Sequence, residues 1–226
     1  MPVYLLSEEP VFPSPTEAEP DGLIAVGGDL SPSRLLKAYA DGIFPWFRDD
    51  DDIFWFSPDP RMVLFPDDLK ISPSLRRVIR SGKFDLRIDT AFEKVIEFCA
   101  AAPRKGQDGS WIDDEFIRAY TELHRMGFAH SFETYMDGEL TGGLYGISIG
   151  RAFFGESMFH KTGDASKVAF FCLVEKIKTW QFHFIDCQVE TDLLKSLGAK
   201  TIPRMEYLER LKTAVGFPAY KGSWTL

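Results

Sequence analysis

The spacing of apolar side chains predicts six helices in the part of the chain that follows residue 70. In each segment, apolar residues recur three or four positions apart, as on the buried face of an amphipathic helix. Ser72-Pro73 and Asp113 stand where helix N-caps are expected, and Gly127 stands where a helix ends. The predicted helices cover residues 72–80, 90–100, 113–127, 166–180, 193–197 and 203–213.

Alternating apolar residues predict strands between these helices. The pattern occurs at residues 84–88, 129–136, 139–147 and 151–156, and residues 182–189 form an apolar run typical of a buried strand. Asp137-Gly138 is a strong hairpin-turn signal between two of the strands. Helices followed by an antiparallel meander and then by helix, strand and helix favour an α+β fold over a doubly wound one.

The first 65 residues follow a different pattern. Ser31 reads as an N-cap and Pro32 as the first residue of a helix that runs to Ala40. The aromatic-rich stretch that follows contains several prolines and an acidic loop, so we expect two strands there. Because the composition changes near Arg61–Pro66, we predict a small N-terminal domain, residues 1–63, and a second domain, residues 64–226.

Composition excludes several protein classes. The chain has 226 residues and is 45% hydrophobic and 14% aromatic, which is enough for a sizeable core. Its three cysteines are isolated and its four histidines lack metal-ligand spacing, so we expect neither disulfides nor a metal. No basic segment precedes an apolar run at the N-terminus, and no 18 apolar residues run together. We therefore expect no signal peptide, no membrane segment and a cytoplasmic location.

The net charge of −8 at first disfavours a nucleic-acid partner, but the charges are unevenly distributed. The segment from Lys70 to Arg87 is basic and contains Arg76, Arg77, Arg80 and Lys83. Such a run is either a solvated helix face or a surface that neutralises phosphates.

Three polar residues stand in apolar strands and are candidates for chemistry. Glu156 ends the apolar stretch RAFFGES, where a carboxylate normally needs a cationic partner. The two-residue period of a strand places Asp186 and Gln188 on one face, where they either bind a substrate together or form a satisfied polar pair. Gly22 to Gly28 does not match a phosphate loop, and Gly155 and Gly163 are too far apart for a typical coenzyme A loop.

Several ordered motifs resemble the leucyl/phenylalanyl-tRNA–protein transferase family. The resemblance extends from about Phe12 to Leu211 and is carried by GGDLSP, GIFPWF, WFSPDPR, GESMF and IDCQVE. It implies a bacterial cytoplasmic aminoacyltransferase that moves Leu or Phe, and Met less well, from aminoacyl-tRNA to proteins with N-terminal Arg or Lys. The product would be marked for N-degron proteolysis. The resemblance also implies a GNAT-like C-terminal domain with a mixed, mostly antiparallel sheet, without a cofactor or a metal, and we expect a monomer.

The resemblance also implies roles for individual residues. Asp186 and Gln188 correspond to the catalytic pair, and Glu156 to the group that binds the cationic acceptor. The expected aminoacyl pocket comprises Leu144, Phe153, Phe170, Leu173 and Ile185. Trp46, Trp111 and Tyr120 are expected around the terminal adenosine, and Arg76, Arg77, Arg80 and Lys83 on tRNA phosphates. The family often has a His-Leu pair where this chain has Leu193-Leu194, so any polar contact of that His is missing.

Two other functions fit part of the pattern. A GNAT-type N-acyltransferase would bind acyl-coenzyme A at the segment from Gly155 to Gly163. A binding module would retain tRNA or protein N-termini without forming an amide bond. Transfer of a labelled amino acid from tRNA to an Arg-starting peptide distinguishes both from the aminoacyltransferase.

Overall fold

The computed structural model describes residues 3–49, 52–103 and 110–226. Its helices are α1 (Pro32–Ala40), α2 (Pro73–Arg80), α3 (Phe92–Ala101), α4 (Asp114–Arg125), α5 (Ala165–Thr179), α6 (Asp192–Ser196) and α7 (Arg204–Val215). Its strands are β1 (Tyr4–Leu6), β2 (Leu23–Gly27), β3 (Phe44–Asp49), β4 (Asp52–Phe56), β5 (Arg61–Leu64), β6 (Asp85–Ile88), β7 (Ala129–Met136), β8 (Glu139–Ile149), β9 (Ala152–His160), β10 (Phe184–Gln188) and β11 (Lys200–Ile202).

The predicted helices are confirmed, and local capping explains where they begin. Ser31 and Ser72 accept hydrogen bonds from backbone N–H groups in the first turns of α1 and α2. Asp113 caps α4 in the same way, through the N–H groups of Glu115 and Phe116. Such signals act within three residues, which is why they can be recognised in the sequence.

A small four-stranded sheet forms near the N-terminus, in the order β1-β2-β4-β3. Strands β3 and β4 are the two strands predicted in the aromatic-rich stretch, and the loop residues between them, 50–51, lie outside the described residues. Trp55 is fully buried in this sheet and donates a hydrogen bond from Nε1 to the carbonyl oxygen of Gly27, 2.9 Å away. The sheet and α1 therefore share a core centred on an aromatic side chain.

The larger sheet has seven strands in the order β11-β5-β10-β9-β8-β7-β6. Among the strand pairs that the described residues form in this sheet, β9 with β10 is the parallel one. This confirms the α+β class and the mixed, mostly antiparallel sheet. Strand β5 spans the predicted domain boundary between residues 63 and 64 and pairs with β10 and β11. Residues 61–63 therefore belong to the larger sheet.

Helices cover both faces of the seven-stranded sheet. The core on one face includes buried side chains of α1, α3, α4 and α7, and it is continuous with the core of the small sheet. The core on the other face includes α2, α5 and Trp224 near the C-terminus. Within the described segments, no helix is both long enough and apolar enough to span a bilayer.

Two β-bulges change the geometry where β9 and β10 separate. The two strands pair only from Phe184–Asp186 to Ala152–Phe154. Glu156 is an extra residue in the pairing of β9 with β8, and Cys187 is an extra residue in the pairing of β10 with β5. The sequence suggested that Glu156 ends a strand. Strand β9 continues to His160, so Glu156 lies inside it.

The second bulge lies between Asp186 and Gln188, which the two-residue period of a strand was expected to place on one face. Asp186 lies opposite Val63, whereas Gln188 lies opposite the adjacent residue, Met62. Neighbouring residues of a strand point to opposite faces, and paired residues point to the same face. The extra residue Cys187 therefore interrupts this alternation between Asp186 and Gln188.

Candidate active site

A cavity of about 460 Å³ opens where β9 and β10 separate. This volume is typical of small-molecule sites. Most of its wall is apolar, and its polar groups include Glu156 and Gln188. Of the side chains expected in the aminoacyl pocket, the ones that line the cavity are Leu144, Phe170, Leu173 and Ile185.

The Glu156 carboxyl group accepts hydrogen bonds from side chains of three elements, namely Gln188 in β10, Tyr120 in α4 and Tyr39 in α1. Gln188 Nε2 donates to Glu156 Oε1 over 2.8 Å, and Tyr120 Oη donates to Oε2 over 3.1 Å. The hydroxyl of Tyr39 in α1 is hydrogen-bonded to that of Tyr120. Burial raises the pKa of Glu156 to about 8, although the hydrogen bonds from the two tyrosines oppose the rise. In the free protein at pH 7, the carboxyl group is therefore mostly protonated.

The interaction with Glu156 also orients the Gln188 carboxamide. Because Nε2 donates to the carboxyl group, Oε1 is the amide atom that remains available to a ligand in the cavity. Gln188 itself has a positive φ of 61°, a left-handed conformation that is uncommon for residues other than glycine. The polar end of the cavity thus presents one acceptor oxygen beside one carboxyl group.

Asp186 is fully buried and is not among the residues that line the cavity. Arg61 binds it through two hydrogen bonds, Nε to Oδ1 at 2.9 Å and Nη2 to Oδ2 at 2.7 Å. Tyr207 Oη donates to Oδ2 over 2.7 Å, and the backbone N–H of Gln188 donates to Oδ1 over 2.9 Å. Asp186 therefore contacts Gln188 through the main chain and not through the carboxamide.

Phe153, also expected in the pocket, lies behind it. Its side chain is fully buried and is absent from the cavity wall. Gly146 on β8 leaves room for this ring, because a Cβ atom there would lie 2.5 Å from Phe153 Cε1. Trp224 packs against the same ring, with centroids 6.2 Å apart. Met158, which the sequence did not single out, lines the cavity instead.

Two of the three residues expected around adenosine reach the cavity. Trp46 from β3 and Trp111 before α4 both line it and are half-buried. Tyr120 is fully buried and does not line the cavity, but it donates to Glu156. Its burial raises its pKa well above the ordinary value, so the hydroxyl remains a donor.

The four predicted phosphate-binding side chains are exposed on and just after α2, away from the cavity wall. Leu75 is the buried residue of this helix, and it anchors α2 to the core that contains α5. Within the described part of the chain, no salt bridge involves Arg76, Arg77, Arg80 or Lys83. These cations are therefore free to meet an anionic partner.

Sequence reasoning missed Arg61, Tyr207 and Tyr39, which hold the polar residues of the site. Arg61 lies within the quoted motif WFSPDPR, and Tyr39 occupies a buried position of an amphipathic helix. Neither position showed a partner in the sequence, since Arg61 and Asp186 are 125 residues apart. The sequence signal for Arg61 was its position as a charged residue directly before the apolar run MVLF.

Comparison with known proteins decides the family. A family model described as leucyl/phenylalanyl-tRNA protein transferase matches residues 63–212, and the model of its N-terminal domain matches residues 28–59. A leucyl/phenylalanyl-tRNA–protein transferase of Anaeromyxobacter sp. (strain Fw109-5) is 56% identical, covering 100% of this chain and 96% of the relative. One of Myxococcus xanthus (strain DK1622) is 53% identical, covering 100% and 97%.

The chain belongs to the leucyl/phenylalanyl-tRNA–protein transferase family. It is therefore an aminoacyltransferase, as its motifs indicated. A solved structure of a GCN5-related N-acetyltransferase-like protein from Streptococcus suis 89/1591 is 12% identical, with a TM-score of 0.36, covering 79% of this chain and 68% of that one.

Proposed function

We propose that the cavity performs the family reaction, in which Leu or Phe moves from aminoacyl-tRNA to the N-terminal Arg or Lys of a protein. Met would be a poorer donor. The observation that carries the proposal is the hydrogen bond between Gln188 and Glu156 at the polar end of an apolar cavity. The apolar wall suits the donor side chain, and the polar end suits a cationic amine.

The reaction depends on positioning the acceptor amine and not on activating the donor. An aminoacyl ester is already reactive, so the α-amine of the acceptor attacks the ester carbonyl without ATP. The amide C–N bond forms, the ester C–O bond breaks, the amine loses a proton and the ribose hydroxyl gains one. Gln188 Oε1 accepts a hydrogen bond from the attacking amine and orients it, since a carboxamide is too weak a base to remove its proton.

Asp186 has an indirect role in this scheme. Its carboxylate oxygens accept four hydrogen bonds from within the protein. It is buried away from the cavity, so it orients Gln188 through the backbone N–H and does not polarise the carboxamide.

Glu156 selects the positive charge of the acceptor. A Lys or Arg side chain that approaches its carboxyl group favours the ionised form, and a charge-assisted hydrogen bond follows. Because the free carboxyl is mostly protonated at pH 7, binding of the acceptor releases a proton.

The donor occupies the rest of the cavity. Leu144, Phe170, Leu173 and Ile185 surround its side chain, and Phe153 supports this wall from behind. Trp46 and Trp111 offer aromatic faces to the terminal adenosine, where stacking contributes about 1–3 kcal/mol per base. Tyr120 does not line the cavity and acts through its hydrogen bond to Glu156.

The exposed cations of α2 and Lys83 would bind phosphates of the tRNA acceptor stem. The whole chain has a net charge of −8 even with these cations included, so its other surfaces repel tRNA. The proposal also includes a monomeric state, a cytoplasmic location and the marking of products for N-degron proteolysis. The division between two domains, expected at residue 63, is proposed to lie before β5, because β5 pairs within the larger sheet.

The coenzyme A alternative has little support. Gly155 lies inside β9, and the strand continues for five more residues, to His160. A pyrophosphate-binding loop connects a strand directly to a helix N-terminus, whereas most of the segment from Gly155 to Gly163 is strand.

The test measures transfer of labelled Phe from Phe-tRNA to a peptide that begins with Arg. Gln188→Ala and Asp186→Ala should each lower the transfer rate strongly and leave tRNA affinity nearly unchanged. Parallel loss of tRNA binding would show that these residues are only structural. Wild-type turnover in Gln188→Ala would remove Gln188 from the reaction.

A further inference from the structure

The buried carboxylate of Asp186 has no capacity left for a substrate. Each oxygen accepts two hydrogen bonds, from Arg61 and Gln188 N–H at Oδ1 and from Arg61 and Tyr207 at Oδ2. The residue is 0% exposed. The bidentate contact with Arg61 also neutralises its charge within the core. Asp186 can therefore act on the reaction only through the groups that it holds.

Arg61 is held by two aromatic rings as well as by hydrogen bonds. Its Cζ atom lies over the rings of Phe44 and Tyr207, 4.7 Å and 4.6 Å from their centroids. Its Nη1 donates to the carbonyl oxygen of Gly42 at 3.3 Å. The planar fork cannot rotate without breaking contacts with three separate segments of the chain, so the position of the Asp186 carboxylate is closely defined.

Gln188 needs such a fixed partner because its backbone is in an unfavourable conformation. Its φ of 61° follows directly on the Cys187 bulge, and left-handed backbone conformations are costly for residues with a Cβ. The hydrogen bond from the Gln188 backbone N–H to Asp186 Oδ1 holds the main chain at the residue that has the positive φ. The same conformation allows its side chain to reach Glu156.

We propose that Arg61 and Tyr207 are positioning residues for aminoacyl transfer. They hold Asp186, Asp186 holds the Gln188 backbone in its left-handed conformation, and the Gln188 carboxamide is thereby presented to the attacking amine. The inference rests on the role of Gln188 in the proposed function. Tyr207 lies in α7, so a helix outside the cavity wall controls a group inside it.

The primary variant is Tyr207→Phe. It removes the hydroxyl that donates to Asp186 and accepts from Arg61 Nη2 at 3.4 Å, but it keeps the ring beside the Arg61 guanidinium group. With saturating Phe-tRNA and Arg-peptide, we expect kcat to fall about tenfold while the KM of each substrate changes less than twofold. Arg61→Lys keeps the charge and loses the bidentate fork, so we expect a larger fall of about a hundredfold in kcat. Tyr207→Phe alone decides the outcome if Arg61→Lys does not fold.

Two controls separate positioning from general destabilisation. Arg204 lies in α7, as Tyr207 does, but makes no contact with Asp186. Arg204→Ala removes the 2.6 Å hydrogen bond from Arg204 Nη1 to the carbonyl oxygen of Ser57. Tyr220→Phe removes the hydroxyl of an exposed tyrosine, which donates to Trp180 O over 3.5 Å. Both should keep wild-type kcat, and Arg204→Ala should lower the melting temperature.

A double-mutant comparison shows whether the effect passes through Gln188. If Tyr207 acts by positioning this side chain, Tyr207→Phe should not slow the residual reaction of Gln188→Ala any further. Wild-type kcat in Tyr207→Phe, or the same tenfold fall in both backgrounds, overturns the inference and leaves the proposed function intact. Wild-type turnover in Gln188→Ala overturns the role of Gln188 and this inference with it.

Discussion

Glu156→Gln tests whether the carboxyl group selects the charge of the acceptor. The replacement keeps the shape of the side chain and keeps an oxygen that accepts from Gln188 Nε2. It removes the ionisable group whose pKa burial raises to about 8. The donor pocket and the two tryptophans at the cavity are untouched, so affinity for Phe-tRNA should hardly change.

The expected size of the effect depends on pH. A charge-assisted hydrogen bond contributes about 1.5–3 kcal/mol, which corresponds to roughly tenfold to a hundredfold in rate. At pH 7, ionising a carboxyl group with a pKa of about 8 costs about 1.4 kcal/mol. The wild-type advantage over Glu156→Gln should therefore be about tenfold smaller at pH 7 than at pH 9.

The assay compares kcat/KM for Arg-starting peptides in wild type and Glu156→Gln between pH 6.5 and pH 9. The α-amine of the peptide titrates in the same range, but it does so with both proteins, so the ratio isolates Glu156. A peptide that starts with neutral Gln is the control and should give a flat ratio. A flat ratio for the Arg peptide, or a mutant that keeps the full preference for Arg over Gln, would refute the reasoning.

Folding stability gives an independent check on the same pKa. A carboxyl group with a raised pKa stabilises the folded state while it is protonated. This contribution is fully present below about pH 4.5 and is lost as pH rises through about 8. Relative to Glu156→Gln, the free energy of unfolding of the wild type should therefore fall over this range in denaturant titrations.

Three further predictions concern the tRNA, the donor and the C-terminal segment. Changing the three arginines of α2 to Ala should reduce the slope of log tRNA affinity against log salt by roughly one per lost phosphate contact; an unchanged slope would make α2 a solvated face. Phe170→Ala enlarges the cavity, so the ratio of kcat/KM for Phe-tRNA to that for Leu-tRNA should rise several-fold, and an unaltered ratio would place the donor elsewhere. Trp224 is 3% exposed, so Trp224→Ala should cost about 3–5 kcal/mol in denaturant unfolding, whereas the 69% exposed Leu226 is the control whose loss should cost almost nothing.

The helix boundaries could be predicted because their causes are local. Ser31, Ser72 and Asp113 each cap a helix through backbone groups no more than three residues away. The hairpin turn at Asp137-Gly138 is equally local, with positive φ at both residues. The family motifs and the candidates Glu156 and Gln188 could also be recognised along the chain, because each stands out against an apolar strand.

The relation between Asp186 and Gln188 could not be predicted, because it depends on a bulge. Whether Cys187 is an extra residue is decided by the pairing of β10 with β5, whose residues are more than a hundred positions earlier in the chain. The two-residue period fails at such a site. The pattern therefore singled out both side chains but not their different partners, Arg61 and Tyr207 for Asp186 and Glu156 for Gln188.

The sequence by itself determined the fold class, the helix starts, the family and the residue types of the site. Only the tertiary structure decided which side chains form hydrogen bonds with one another. Arg61, Asp186 and Tyr207 come from three separate elements and meet in the core. A buried charge requires a partner, but the requirement does not say where in the chain that partner lies. The packing of β5, β10 and α7 brings Arg61 and Tyr207 to Asp186, and this arrangement sets the orientation of Gln188.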